Sequence, residues 1–284
     1  VLFRSLAFAA ILACAALPAR ADYMIGFEAF RIEEYGVAHS ELLPAAEAGD
    51  GGAAIILALL YANGYGRPAD RAAALHWFEE AAHTGDIAAR AMAGALTGIR
   101  RNAVREFESS LVWLTEAASS GDARAQYVLG WLIGNGLGVA RADPAGGLAW
   151  TRRAAEGGNA AAAYRLGSMY LEGTLGAAKD EREAAAWFER AGNAGDAASQ
   201  TALALLYASG RGVTADQTKA AEWARKAAEQ GFAEGQFFLA GLYSNGVGVP
   251  KDEDEAFNWN LQAAQQNYGP AQLRVAQAFA AGRS

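Results

Sequence analysis

The chain has 284 residues, 52% of them hydrophobic, only six Pro, and a formal charge of -7. This composition excludes a disordered chain and supplies ample apolar surface for a soluble helical core. Its acidic balance argues against nucleic acid and anionic lipid as partners, and loss of Arg4 and Arg20 with the first 21 residues takes the charge to -9.

Residues 1–21, VLFRSLAFAAILACAALPARA, carry one early cation, Arg4, an apolar run from Leu6 to Leu17, the breaker Pro18 and the tripeptide Ala19-Arg20-Ala21. The pattern predicts a bacterial secretory signal peptide cleaved after Ala21, and so a periplasmic or secreted protein. The run is shorter than the roughly 20 apolar residues a membrane span needs. An alternative is a lipoprotein anchored through Cys14, since Ile11-Leu12-Ala13-Cys14 loosely matches a lipobox. Cys14 is the sole cysteine, so a chain beginning at Asp22 has no thiol for disulfides or thiolate metal sites.

From residue 51 the sequence repeats. Trp77, Trp113, Trp150, Trp187, Trp223 and Trp259 are separated by 36, 37, 37, 36 and 36 residues. A first helix in each period places a bulky residue (Leu57, Leu129, Leu166, Leu203, Leu239) before a small one (Ala58, Gly130, Gly167, Ala204, Ala240), with an aromatic one turn on in most copies. These spacings set a bulky stripe beside a small notch on one helix face, where a neighbouring helix approaches closely. A glycine-containing turn follows, and an aspartate seven residues before the tryptophan (Asp70, Asp143, Asp180, Asp216, Asp252) is predicted to cap the second helix. That helix ends at Gly85, Gly121, Gly158, Gly195 or Gly231, and at Asn267 in the sixth copy, residues that tolerate a left-handed backbone.

These motifs, Ala-x-x-Leu-Gly-x-x-Tyr, Gly-x-Gly-Val, Asp-x-x-x-Ala-x-x-Trp and Ala-Ala-x-x-Gly, resemble the Sel-one-like repeat (SLR) family, a relative of the tetratricopeptide repeat. The resemblance covers six copies, at 51–86, 87–122, 123–159, 160–196, 197–232 and 233–268. It implies an all-α fold, a right-handed α-solenoid of stacked antiparallel helix pairs, that binds proteins or peptides as an adaptor or regulator. Residues 22–50 look like the helical unit that precedes such repeats, with Glu41 in place of the tryptophan, and so form a cap. Residues 269–284 are a partial seventh repeat or a C-terminal cap. In the second copy, Arg100-Arg101-Asn102 replaces the Gly-x-Gly turn, so that turn is expected to follow a different path.

No reactive constellation stands out. The glycine pairs follow helices rather than strands and lack the lysine of a phosphate loop, so they read as turns. Asp252, Glu253, Asp254 and Glu255 lack the loop glycine and distal Glu of a calcium site and suit a helix start. His76 and His83, seven residues apart on one helix, stand roughly 10 Å apart, too far to share one ion. We therefore expect no catalytic, cofactor-binding or metal residues, and a non-enzymatic scaffold. The alternative, an envelope enzyme acting on peptidoglycan or β-lactams, comes from cysteine-rich proteins of the family, and a mature chain without cysteine departs from that group.

Variation between copies points to the binding surface. On the first helices one column reads Ile56, Met92, Val128, Arg165, Ala202, Phe238 and its neighbour reads Leu59, Ala95, Trp131, Ser168, Leu205, Gly241. Val128, Trp131, Arg165, Ser168, Leu205 and Phe238 are the candidate peptide-binding groove, with Trp131 and Phe238 as apolar anchors and Arg165 as a carboxylate partner. Arg100, Arg101 and Arg105 form a candidate basic loop contact. The expected partner is a protein or peptide, with neither nucleic acid nor a membrane span.

Overall fold

A computed structural model of the chain describes residues 19–83, 103–136, 139 and 141–281. Among the described residues every regular element is an α-helix. The chain divides into two compact units, residues 1–116 with 136–141, and residues 117–135 with 142–284.

In the first unit, helices α1 (Ala19–Arg31), α2 (Tyr35–Glu47), α3 (Gly51–Asn63) and α4 (Arg71–His83) pack consecutively, each on the next. Helix α3 is buried on every face from Gly51 to Leu60, in keeping with its almost unbroken apolar sequence. Helix α5 (Ala103–Ser119) carries the second copy's tryptophan, Trp113, which is buried.

The second unit holds α6 (Ala123–Asn135), α7 (Pro144–Glu156), α8 (Ala160–Glu172), α9 (Glu181–Asn193), α10 (Ala197–Ser209), α11 (Gln217–Glu229), α12 (Ala233–Asn245), α13 (Glu253–Gln265) and α14 (Gly269–Ala280). Helices pair as α6 with α7, α8 with α9, α10 with α11 and α12 with α13. Each pair packs on the next through the second helix of one and the first helix of the other, and α14 packs on α13. This is the stacking of an α-solenoid.

The local signals act as the sequence indicates. Asp143 accepts from the Gly146 amide, Asp180 from Arg182 and Glu183, Asp216 from Lys219, and Asp252 from Asp254 and Glu255. Each of these caps is worth about 1 kcal/mol. Asp252 and its acidic neighbours thus start a helix, where negative charge is favoured. A second set of caps starts the first helices: Asp50, Asp122, Asn159 and Asp196 accept from amides two or three residues on. Gly121, Gly158, Gly195, Gly231 and Asn267 have positive φ, as their places after the second helices require.

Both glycines of the Gly-x-Gly turns are left-handed, with φ of 71° and 68° at Gly210 and Gly212 and 66° and 69° at Gly246 and Gly248. The second has an additional constraint. A Cβ on Gly212 would run into the backbone carbonyl of Glu181, and one on Gly248 into that of Gln217. Each turn therefore rests on the first residue of the preceding pair's second helix, and only a residue without a side chain permits that approach. In the first unit the turn after α3 repeats the arrangement, with Gly66 against Tyr35 and the Tyr65 ring stacked on Tyr35 at 4.6 Å.

A glutamine column ties successive pairs together. Gln126, Gln200 and Gln236, near the starts of α6, α10 and α12, are buried, and each donates to a last-turn carbonyl of the preceding second helix, at Ala118, Gly192 and Ala228. Gln200 and Gln236 also accept from Gln230 and Gln266, which cap the ends of α11 and α13, at 2.7 and 2.8 Å. Gln236 is 3% exposed. Gln236→Leu removes the bonds to the Ala228 carbonyl, which keeps the Gly231 amide, and to the Gln266 amide, and urea titration should show a loss of about 1–2 kcal/mol. A loss below a few tenths would show that the column is incidental.

Candidate functional site

The two variable columns run along α6, α8, α10 and α12, and their exposure changes along the stack. On α6, Val128 and Trp131 are both 0% exposed, and Trp131 is the largest fully buried side chain. This corrects the expectation that Trp131 is an apolar anchor, and Val128 a lining residue, of an open groove. Helix α6 is buried continuously from Ala125 to Leu132, and on one face it lies against α7 through glycines. A Cβ on Gly147 would meet Gly134 Cα at 2.6 Å and the Gly130 carbonyl at 2.8 Å. With no exposed surface, Trp131 is part of the core.

Farther along, the same columns reach the surface. Arg165 and Ser168 on α8 are half-buried, with the Ser168 hydroxyl donating to the Tyr164 carbonyl at 3.1 Å. Leu205 on α10 is 44% exposed. On α12, Phe238 is half-buried and Gly241 is exposed, with nothing within 4 Å of the place its Cβ would occupy. Gly241 thus leaves open the column position that Trp131 fills on α6.

Beside Gly241 lies a cleft of about 640 Å³, built from α12, α13 and α14. Phe237, Phe238 and Leu242 of α12, Val247 of the following turn and Phe257 of α13 give it apolar walls. Phe257 is held edge-on by Phe279, with ring centroids 5.7 Å apart and planes at 83°. Polar groups come from Ser244, Asn245, Asn260 and Gln277, and charges from Glu253 and Arg274. Arg274 and Gln277 were missed in the sequence, although they stand 36 residues after Phe238 and Gly241. Carrying the two columns one period farther, into the partial seventh copy, finds both.

A scan of family models matches the Sel1 repeat at residues 52–86, 123–159, 160–196, 197–232 and 233–268. The chain belongs to the Sel1 repeat family. Solved structures agree with this. A protective antigen of uropathogenic Escherichia coli displaying an SLR fold is 30% identical, with a TM-score of 0.58, over 84% of this chain and 51% of that one. A Sel1 repeat protein from Oxalobacter formigenes is also 30% identical, with a TM-score of 0.55, over 91% of this chain and 75% of that one. The Sel1 repeat chain therefore spans about half the length of the first of these relatives. No curated protein matches it. Scaffolds of Sel1 repeats are typical of protein-interaction proteins.

The other candidates read from the sequence fall elsewhere in this Sel1 repeat chain. Arg100 and Arg101 lie outside the described residues, as do residues 1–18 with Arg4 and Cys14. Arg105 stands on α5, with its side chain outside the described set. Among the described residues no three His, Cys, Asp or Glu side chains gather as metal ligands, and no helix is long and apolar enough to cross a membrane.

His39 has a structural partner. Its Nε2 lies 2.9 Å from the Tyr61 hydroxyl, and that hydroxyl accepts from Arg67 Nη1 at 3.0 Å. The direction of the His39–Tyr61 bond follows the imidazole tautomer. Burial, reinforced by the nearby Arg67 charge, holds the His39 pKa below its ordinary 6.5. In the unfolded chain the imidazole takes up a proton more readily, so folding stability falls as pH drops below 6.5 and levels off only below the folded-state value. Melting curves between about pH 7.5 and about pH 5.5 should fall more steeply for the parent than for His39→Gln. Equal slopes would remove His39 from the pH dependence.

Proposed function

We propose that this Sel1 repeat protein is a non-enzymatic scaffold that binds a protein or peptide, as an adaptor or regulator in the bacterial cell envelope. One observation carries the binding reading: the two columns that vary between copies are core at Val128 and Trp131 and become the wall of an open cleft at Phe238, Gly241, Arg274 and Gln277. Residues that only stack repeats keep their type from copy to copy, as the capping aspartates do. Residues that contact a partner follow the partner's chemistry instead, and aromatic groups and arginine dominate such contacts. A photoreactive residue at position 241 should cross-link a defined polypeptide in cells, while the same residue at Glu222, exposed on α11, should not. Equal capture at both positions would overturn the assignment of this surface.

The envelope reading rests on the short apolar run and the Ala-x-Ala tripeptide before Asp22. Expression of the chain with residues 1–21 in a Gram-negative host should yield periplasmic protein whose N-terminus is Asp22. Retention of an unprocessed cytoplasmic chain would overturn export. Membrane attachment lost in Cys14→Ser would replace the soluble periplasmic form with a lipoprotein.

A further inference from the structure

The cleft at α12, α13 and α14 carries chemistry that selects among peptides. Its two charged side chains are of opposite sign and in different states. Glu253 is paired with Lys251 at 3.0 Å and sits in the first turn of α13, where the helix dipole favours a carboxylate. Arg274 is exposed on α14 and makes no ion pair or hydrogen bond among the described residues. The cleft therefore presents one uncommitted cation, a guanidinium whose fork matches a carboxylate.

The amides show how a main chain would sit. Asn260 spends its Nδ2 on the Ala256 carbonyl at 2.9 Å, while its Oδ1 is buried with no partner among the described residues. Asn245 likewise spends its Nδ2 on the Gly241 carbonyl at 2.7 Å, which leaves its side-chain oxygen as an acceptor. Both residues line the cleft. Asn245 is exposed, so its free oxygen is within reach of a peptide N–H, whereas the Asn260 oxygen is covered. Phe238 and Phe257 offer an apolar seat beside these acceptors, and the cleft is open, so a chain can run through it and no terminus is required.

We propose that this cleft binds an internal, extended peptide segment in which an Asp or Glu side chain adjoins a bulky apolar residue. Arg274 pairs with the carboxylate, the Asn245 side-chain oxygen accepts a backbone N–H, and Phe238 with Phe257 holds the apolar side chain. This rests on the scaffold reading above and names the chemistry of its partner.

The test is selection of random dodecapeptides, capped at both ends by display, against the full chain, followed by synthesis of the winners with acetylated and amidated termini. Selected peptides should be enriched in an acidic residue next to Phe, Leu, Ile, Trp or Tyr. Arg274→Gln should weaken their binding at least about tenfold, roughly the loss expected for one charge-assisted pair, with an unchanged melting temperature. Replacing the peptide's acid by its amide should cost the parent as much and Arg274→Gln little. Peptides without acidic enrichment that are still blocked by Gly241→Trp would overturn the carboxylate inference and leave the binding surface standing. Peptides that bind only with a free C-terminal carboxylate would overturn the internal segment. Winners indifferent to both Arg274→Gln and Gly241→Trp would overturn this cleft as the site, and with it the placement of the binding surface.

Discussion

Gly248→Ala should destabilise the second unit by about 3 kcal/mol, although it adds a single methyl group to an exposed turn. Two separate effects combine. The φ of 69° at Gly248 is one that a residue with a Cβ adopts at a cost of about 1–2 kcal/mol. In addition, that Cβ is aimed at the carbonyl of Gln217, a backbone atom at the start of α11 that moves only if the helix does. Gly212, set against Glu181, should behave in the same way. The control is Gly241→Ala, on an exposed face of α12 with open space around it, which should be neutral or stabilising by about 0.5–1 kcal/mol because alanine loses less backbone entropy in a helix. Urea unfolding followed by tryptophan fluorescence measures both. Equal effects of the two substitutions would show that the turn is not held against the helix beneath it.

The second large effect is expected in the core. Phe188 on α9 is 1% exposed, and its ring fills the notch at Gly167 on α8, where a Cβ would approach the ring to 2.8 Å. Tyr164 flanks it with ring centroids 5.7 Å apart. Phe188→Ala removes the ring from a site where small residues on both helices leave nothing able to fill the space, and should cost about 3–5 kcal/mol. Gly167→Ala should also destabilise, by overpacking. Combining Gly167→Ala with Phe188→Leu should cost less than the sum of the two, because the smaller side chain makes room for the methyl. Strict additivity would mean that the notch and the ring do not meet.

Much of this was legible in advance because the repeat is punctuated by residues whose roles are set within a few bonds. An aspartate accepts from amides two or three residues away, and a glycine or asparagine takes a left-handed φ, whatever lies across the fold. Asp252 and Gly231 could therefore be placed from sequence and do what was expected of them. The notch was legible too, since Leu166 and Gly167 recur in register with their counterparts.

The glutamine column was less visible. Gln126, Gln200 and Gln236 keep step with the repeat, but position 163 holds Ala, and the partner of each is a backbone carbonyl that carries no sequence signal. The error at Trp131 has a related cause. A tryptophan out of register reads equally as an anchor or as core, and the outcome depended on what packs around α6, which no single repeat encodes. Phe238 lines the cleft, while its neighbours Arg274 and Gln277 were passed over because they belong to an incomplete copy.

By itself the sequence determined the helical period, the caps, the left-handed corners and the membership in the Sel1 repeat family. Each depends on local backbone geometry or on a pattern seen several times over. Only the tertiary structure decided which members of a variable column are core and which are surface. It also decided that Gly212 and Gly248 must each admit a carbonyl from the preceding pair, and that Arg274 and Asn245 line one cleft. Those outcomes depend on distances between helices, and such distances are set jointly by side chains on both partners.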